Sequence, residues 1–424
     1  MRIDRLIIRN FNGFESCELP LDPHFNLLVG DNATGKTSAL DALAIAVDSW
    51  FLGLKGSEKA GGIDVDQVRV IPHPHLDSVT FEKQFPARIE AYGLALGKEI
   101  FWARELSHEN GRTTTAEAQQ LATIASAMDQ DVRSGKDVKL PIICSYGTER
   151  LWFESRHRKS KKQDETSFRS PSRLDGYRDC NFFEIQETAL LEWIHAQVSV
   201  SQQRREETIA WLVMQRAIIE CVEGAVSLYW DERYHDLIVT IDHLGQQMFR
   251  NLSDGQRVML TLVGDIVKRA TTLNPQLGVD VLNQIEGIIL IDELDLHLHP
   301  KWQRRVIHDL KRVFPRIQFI TTTHSPQLIG EALPNEIRIL ADGKFTTPPR
   351  SFGIDSSRIL TELMHVSPRN VETEALLSTL ASLIDREDLE GAKKVLAQVQ
   401  VKLGRDDPEV SGANTLINLL ESTR

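Results

Sequence analysis

The sequence predicts an α/β fold built around a parallel sheet, with an antiparallel β subdomain, a helical insertion and a C-terminal helical tail. Two apolar runs predict strands, and the second of them predicts the parallel sheet. Residues 25–29 precede a glycine-rich loop and a helical pattern, and residues 287–291 are apolar and end in two carboxylates. A strand that is apolar on both faces is typical of the centre of a parallel sheet, because helices cover both of its faces.

The remaining elements follow from the spacing of apolar residues, because a period of two indicates a strand and a period near 3.6 indicates a helix. In chain order the patterns predict a β-meander, a helix, a hairpin, a strand, two amphipathic helices and two further strands. Their approximate bounds are 2–29, 35–51, 88–106, 140–146, 183–198, 209–222, 225–229 and 237–241. Strand–helix alternation then resumes and continues to about residue 340.

These elements divide the chain into four predicted regions. Residues 1–150 form a first lobe with the β subdomain, and residues 151–245 form a mainly helical insertion. Residues 246–350 form a second lobe, and residues 351–424 form a helical tail with apolar stripes that is expected to dock a partner. The tail must bury those stripes either on its own core or against another chain.

Composition is that of an ordinary globular protein. Of the 424 residues, 41% are hydrophobic and 26% are charged, which excludes collagen-like, mucin-like and disordered chains. The net charge of −11 excludes a protein that covers nucleic acid with its whole surface. No segment reaches the ~18 apolar residues of a membrane span, and the N-terminus lacks the pattern of a secretion signal. We therefore expect a cytoplasmic protein with no membrane partner.

A phosphate-binding motif lies between the first buried strand and the following helix. It matches G-x-x-x-x-G-K-[ST] and consists of Gly30, Asp31, Asn32, Ala33, Thr34, Gly35, Lys36 and Thr37. Its glycines let backbone N–H groups curl around phosphate oxygens, and the positive helix N-terminus attracts the same anions. Lys36 is predicted to reach the β- and γ-phosphates, and the Thr37 hydroxyl to bind Mg²⁺. The alternative is a chance glycine turn. Such a turn would not require the flanking strand and helix, whose presence favours the phosphate-binding motif.

The second buried strand ends in Asp292 and Glu293. Ligands bind at the carboxyl ends of parallel strands, so both carboxylates are expected beside the phosphates. Asp292 is predicted to hold Mg²⁺, and Glu293 to accept a proton from the attacking water. The alternative is a strand that ends in a solvated acidic turn.

Further motifs resemble those of a known family. Residues 251–257, Asn-Leu-Ser-Asp-Gly-Gln-Arg, resemble the LSGGQ signature of ABC-type ATPases, with Asp254 as the departure from it. Residues 319–325 resemble the strand that carries the switch histidine, here His324, and Asp295 falls at the D-loop position. Together with residues 6–14, these motifs make the chain similar to ABC-type ATPases of the SMC/RecF-like branch, which have a P-loop NTPase fold.

The resemblance implies that ATP and Mg²⁺ lie in composite sites between two copies of the chain. Ser253, Gly255 and Gln256 would then contact a γ-phosphate that another copy binds, with Asp295 in the D-loop and His324 as a catalytic residue. A homodimer or a higher oligomer follows. The family's Q-loop glutamine has two candidates here, Gln84 and the turn at residues 146–150.

A pair of histidines near the acidic residues allows two interpretations. His297 and His299 form an H-x-H pattern that can bind a transition metal, but we expect them to shape the D-loop. The chain between P-loop and signature lacks sustained heptads and a CxxC zinc hook, so it does not match chromosome-organising proteins. The tail lacks a strand-borne acidic cluster, so any DNA cleavage is expected from another chain.

The chain is also similar to compact ATPases that accompany HNH nucleases in bacterial anti-phage systems, including Septu and retron-associated ATPases. This resemblance is carried by residues 252–257, 293–300 and 352–355. It implies a regulatory ATPase with an HNH nuclease partner. The basic block from Arg156 to Lys162 is either a solvated loop or a DNA contact. The alternative function is that of a RecF-like DNA-repair ATPase without a nuclease partner.

Overall fold

The computed structural model describes residues 1–31, 34–55, 60–75, 78–148, 172–180 and 187–422. The chain forms two compact units, Met1–Ile354 and Asp355–Arg424. Asn32, Ala33 and the basic block from Arg156 to Lys162 lie outside the described residues, as do the last two residues of the predicted turn 146–150. Among the helices described, none is long and apolar enough to cross a membrane.

The described part of the first unit combines four sheets with helices. Its strands are β1 (Arg2–Phe11), β2 (Phe14–Pro20), β3 (Phe25–Val29), β4 (Val70–Pro74), β5 (Val79–Lys83), β6 (Ala87–Ala95), β7 (Lys98–Leu106), β8 (Ile142–Tyr146), β9 (Ala225–Asp231), β10 (Asp236–Ile241), β11 (Gly245–Met248), β12 (Gly287–Ile291), β13 (Ile317–Thr322), β14 (Ile337–Ala341) and β15 (Lys344–Thr346). Its helices are α1 (Lys36–Asp48), α2 (Gln119–Arg133), α3 (Glu187–Arg204), α4 (Ile209–Cys221), α5 (Asp254–Leu273), α6 (Val281–Gln284), α7 (Pro300–Val313) and α8 (Pro326–Ile329).

The largest sheet is the predicted parallel sheet. Its order is β15-β14-β3-β13-β12-β8, and every neighbouring pair is parallel except β14 with the edge strand β15. Strands β3, β8, β12 and β13 are buried along their whole length, as expected for strands that are apolar on both faces. The carboxyl ends of β3, β12 and β13 therefore meet at one edge. The predicted α/β fold class is confirmed.

The antiparallel β subdomain has the strand order β2-β1-β6-β7. The predicted N-terminal β-meander is wrong in one respect, because β3 does not pair with β2 and instead joins the parallel sheet. Strand β3 is apolar on both faces, and only a position inside a covered sheet buries both. The hairpin of β1 and β2 nevertheless reaches the site, since the Phe14 ring packs against the glycine-rich loop.

The second unit consists of α9 (Ser356–Glu362), α10 (Val371–Asp385), α11 (Leu389–Leu403) and α12 (Pro408–Ser422). Helices α10, α11 and α12 share a small apolar core. Its buried members are Leu380, Ala392, Leu396, Val399, Val410 and Ile417. The tail thus buries much of its apolar surface on its own core, the first of the two predicted alternatives. Leu416 and Leu419 remain 51% and 58% exposed on α12.

Candidate nucleotide-binding site

The two glycines of the phosphate-binding motif are required by space and by backbone conformation. Gly35 has φ +106°, which side chains disfavour, and a Cβ atom there would lie 2.9 Å from the Phe14 ring. A Cβ atom on Gly30 would lie 2.7 Å from the carbonyl oxygen of Leu340. The loop therefore fits tightly between β14 and the β1–β2 hairpin, and α1 begins directly after it at Lys36.

Lys36 curves back over the loop that precedes it. Its Nζ donates hydrogen bonds of 2.8 Å to the carbonyl oxygens of Gly30 and Asp31. Burial lowers the pKa of Lys36, while the negative charges of Asp31, Asp292 and Glu293 oppose that shift. The ammonium group is therefore held where phosphate oxygens can replace the two carbonyls as acceptors.

Thr37 and Asp292 form the predicted metal-binding pair. Thr37 Oγ1 donates to Asp292 Oδ2 over 3.3 Å, and Thr322 Oγ1 donates to the other carboxylate oxygen. The backbone N–H of Asp292 donates to the carbonyl oxygen of Tyr146 over 2.8 Å, which fixes the end of β12 against β8. A hydroxyl and a carboxylate are hard oxygen donors, so this pair fits Mg²⁺.

Glu293 lies at the end of the strand in a strained conformation. Its φ is +48°, in the left-handed region that few residues other than glycine, asparagine and aspartate adopt. Its backbone N–H donates to Thr322 Oγ1 over 2.7 Å, and the next N–H, of Leu294, donates to the Thr322 carbonyl over 2.9 Å. These bonds to the end of β13 hold the turn, and such strain is typical of functional sites.

One cleft brings the predicted catalytic and phosphate-binding residues together. Its lining residues are Gly35, Lys36, Thr37, Ser38, Asp292, Glu293, Thr322 and His324. The switch-histidine candidate His324 is therefore close to both carboxylates, although it is 31 residues from Glu293 in the sequence. We call this space the phosphate cleft.

The D-loop candidate Asp295 is fixed by its own chain. Thr323 Oγ1 donates to its carboxylate, and Gln303 Nε2 donates to its carbonyl oxygen over 3.3 Å. His299 Nδ1 accepts a hydrogen bond from Lys301 N and caps α7. In the described ranges of the chain, no group of three or more His, Cys, Asp or Glu side chains could hold a metal ion. His299 thus lies at the N-terminus of α7, directly after the D-loop.

The signature residues begin α5 and do not line the phosphate cleft of the same chain. Ser253 and Gln256 form a capping box, in which Gln256 N donates to Ser253 Oγ and Ser253 N donates to Gln256 Oε1. A Cβ atom on Gly255 would lie 3.1 Å from the His297 carbonyl oxygen, so this glycine allows α5 to approach the D-loop. Asp254, which replaces the first glycine of LSGGQ, is exposed.

The structure separates the two candidates for the Q-loop. The Gln84 side chain donates to the Glu82 carbonyl oxygen on the exposed β4–β5 ribbon. Tyr146, Gly147 and Thr148 instead line a second cavity, together with Thr37 and Asp292. The turn after β8 therefore lies beside the metal-binding pair, and Gln84 does not line either cavity.

A buried polar network that the sequence analysis did not predict connects this turn to the signature helix. The Tyr146 hydroxyl donates to Asp265 Oδ2 over 2.9 Å, and Arg269 Nε donates to the same oxygen over 2.6 Å. Arg269 also donates to the carbonyl oxygens of Gly176 and Arg178. Burial raises the pKa of Tyr146 well above its usual value, so the hydroxyl stays a donor.

Asp41, which no sequence motif indicated as a site residue, lies one turn after Thr37 on α1. It lines the second cavity. Burial, together with the smaller effect of the negative charge of Asp292, raises the pKa of Asp41 from 3.8 to about 6. Spacing offers a signal for this residue, since positions i and i+4 share one face of a helix. The pattern alone does not distinguish it from the other polar residues of α1.

The Asp41 pKa predicts a pH-dependent effect on stability in protein without nucleotide and metal. Because the folded pKa exceeds the unfolded one, the free energy of unfolding falls as pH rises from about 4 to about 6. Asp41→Asn has no carboxyl group to titrate and so escapes this loss. The difference in free energy of unfolding, variant minus wild type, should therefore be about 1–2 kcal/mol larger at pH 7 than at pH 4. Urea unfolding at both pH values measures this difference, and an offset that is equal at both would contradict the assignment.

Comparisons with known proteins agree with this geometry. The family model described as "AAA domain, putative AbiEii toxin, Type IV TA system" matches residues 25–330, more than half of the chain. The chain is 40% identical over 177 residues to the Retron Ec83 probable ATPase of Escherichia coli, covering 41% of this chain and 32% of that protein. It is 37% identical over 102 residues to the Septu protein PtuA of Bacillus thuringiensis, covering 24% and 26%.

A shorter match involves a repair protein. The chain is 51% identical over 43 residues to the DNA replication and repair protein RecF of Actinobacillus pleuropneumoniae, covering 10% of this chain and 12% of that protein. The matched part spans about a third or less of the length of the retron and Septu relatives. The predicted resemblance to SMC/RecF-like ATPases near the Septu and retron ATPases is confirmed. The chain belongs to the family described as "AAA domain, putative AbiEii toxin, Type IV TA system".

Proposed function

We propose that this chain binds ATP with Mg²⁺ and hydrolyses it in the phosphate cleft. The observation that carries the proposal is that Lys36, Thr37, Asp292 and Glu293 line one cleft at the carboxyl ends of β3 and β12. Purified full-length chain should release phosphate from ATP when Mg²⁺ is present, and chelation with EDTA should stop the release. Phosphate release that is independent of Mg²⁺ would contradict the proposed site.

Each residue of the cleft has a distinct task in this mechanism. Lys36 exchanges its two carbonyl acceptors for β- and γ-phosphate oxygens, and the glycine-rich loop places N–H groups around them. Thr37 and Asp292 would hold Mg²⁺, which neutralises charge that develops on the phosphate oxygens. Glu293 accepts the proton of the attacking water, and His324 contacts the γ-phosphate end of the cleft. The hydrogen bond from the Glu293 N–H to Thr322 Oγ1 fixes the Glu293 backbone at the end of β12.

The active assembly is proposed to be a homodimer or a higher oligomer with composite sites. Within one chain the signature residues do not line the phosphate cleft. Ser253, Gly255 and Gln256 would therefore act on ATP that another copy binds, with Asp295 at the junction. The rigid N-terminus of α5, which the Ser253–Gln256 capping box stabilises, suits such a contact.

The biological role is proposed to be that of a regulatory subunit in a cytoplasmic anti-phage defence complex with a separate HNH nuclease. The support is the similarity to the Retron Ec83 probable ATPase and to the Septu protein PtuA. In this role the nucleotide state is the switch, because closing a composite site brings two chains together and alters a partner bound to their surface.

The basic block from Arg156 to Lys162 is proposed to contact DNA, with binding that weakens steeply as salt rises.

The exposed leucines of α12 give the nuclease proposal a specific test. Leu416 and Leu419 are both more than half exposed, whereas the neighbouring Ile417 lies in the core of the second unit. If α12 docks the nuclease, Leu416→Ser with Leu419→Ser should reduce co-purification of the proposed HNH partner by at least about tenfold. The control is Val371→Ser, which changes an apolar residue on α10 that is 88% exposed.

Three outcomes of this experiment contradict different parts of the proposal. Equal capture by the double variant and wild type means that α12 is not the docking element. Equal capture by a chain that ends at Ile354 excludes the whole second unit. If no HNH protein is encoded nearby or co-purifies, the alternative of a RecF-like DNA-repair ATPase gains support, which the short match to RecF favours.

A further inference from the structure

Two cavities meet at the metal-binding pair. The phosphate cleft lies on one side, and on the other side lies a cavity lined by Thr37, Leu40, Asp41, Ala44, Ser145, Tyr146, Gly147, Thr148, Leu290 and Asp292, which we call the metal-side cavity. Thr37 and Asp292 are the residues that line both spaces. A cation held by this pair would face phosphate oxygens on one side and the metal-side cavity on the other.

Asp41 is the carboxylate besides Asp292 that lines the metal-side cavity. It follows Thr37 by four residues on α1, so both side chains lie on one face of the helix. The side chain is partly buried, and its carboxylate forms no hydrogen bond or ion pair within the described ranges of the chain. A partly buried carboxylate without such a bond loses hydration on folding and gains from a polar ligand.

Mg²⁺ supplies such ligands through its bound water. It prefers six oxygen ligands in octahedral geometry and usually keeps several waters, which need acceptors of their own. The Tyr146 hydroxyl, which donates to Asp265, carries no charge and is therefore a weaker acceptor than a carboxylate. The described turn after β8 also provides no glutamine at residues 146–148. The carboxylate of Asp41 is therefore the strongest acceptor facing this side of the pair.

We propose that Asp41 is a positioning residue for Mg²⁺, whose carboxylate accepts hydrogen bonds from the metal-bound waters that face the metal-side cavity. This inference rests on the proposed function, because it requires Mg²⁺ and ATP in the phosphate cleft. Residues that hold the ligands of a metal in this indirect way typically change metal affinity by 10–100-fold when substituted. Asp41 would thus set the metal affinity of the ATP complex without contacting the phosphates.

The test measures metal affinity directly and uses Mn²⁺ as the probe. Electron paramagnetic resonance reports free Mn²⁺ during titration of the full-length chain with saturating ATP. Asp41→Asn should weaken Mn²⁺ binding by about 10–100-fold, whereas ATP binding in EDTA should remain as in wild type. Asp41→Glu should recover part of the affinity, since it restores a carboxylate. Asp342→Asn is the matched control, because it removes one negative charge at the exposed turn between β14 and β15, outside both cavities.

The outcomes separate this inference from the proposed function. If wild type binds ATP and Mn²⁺ but Asp41→Asn has the same Mn²⁺ affinity, the role of Asp41 is wrong and the proposed function stands. A similar loss in Asp342→Asn would also overturn it, because the effect would then reflect net charge alone. If wild type binds no ATP, both proposals fail. Thermal unfolding verifies the fold of each variant, and Asp41→Ser replaces Asp41→Asn if the latter does not fold.

Discussion

Glu293→Gln is expected to bind ATP as well as wild type does and to hydrolyse it about 10²–10⁴ times more slowly. The amide keeps the size and shape of the side chain but cannot accept the proton of the attacking water at neutral pH. The backbone bonds that fix this turn come from the N–H groups of Glu293 and Leu294, so the substitution leaves them intact. Phosphate release and equilibrium binding of labelled ATP are measured in parallel.

Glu286→Gln is the matched control for this prediction. Glu286 directly precedes β12 and is largely exposed at the opposite end of the strand from Glu293, so its change should leave the rate unaltered. Unchanged hydrolysis by Glu293→Gln would show that another group acts as the base. His324 would then be the first alternative, because it lines the same cleft.

Lys36→Ala is expected to have the second large effect, a loss of ATP affinity of at least about 30-fold, since buried charged contacts are worth about 2–5 kcal/mol. The Lys36 ammonium is held over the loop by two carbonyl oxygens, and both acceptors are released when it binds phosphates. Equilibrium dialysis with labelled ATP and Mg²⁺ measures the loss. Lys344→Ala, on the exposed edge strand β15, is the control with the same change of charge. Equal affinities of Lys36→Ala and wild type would exclude the phosphate cleft as the ATP site.

Much of the fold and of the phosphate cleft could be predicted because local pattern and chemistry agree there. The run 25–29 is rich in apolar residues, which predicts a strand, and the glycines at its end predict the loop before α1. Likewise, the apolar run of β12 and the carboxylates after it predict a site at the edge of a parallel sheet. In these segments the hydrophobic pattern, the turn residues and the site chemistry all predict the same local structure.

Contacts between distant segments could not be predicted in this way. The hydrogen bond from Tyr146 to Asp265 spans 119 residues of sequence, and Asp265 belongs to no motif. The pairing of β3 with β13 and β14 also depends on segments about 300 residues away, so the sequence around β3 indicated a local meander instead. Gly255 looked like a phosphate contact alone, although its backbone also packs against the D-loop.

The central claim is that each active site combines the phosphate cleft of one chain with the signature of another, and mixing two inactive variants tests it most directly. Lys36→Ala removes the cleft function, and Ser253→Arg blocks the signature, so each variant alone should lack ATPase activity. In a heterodimer, one site combines the intact cleft of the second variant with the intact signature of the first. If chains exchange at random in an equal mixture, about half of the dimers are heterodimers, and each of these has one working site of two. The expected ATPase rate is therefore about a quarter of the wild-type rate. A mixture that is as inactive as either variant alone would contradict it.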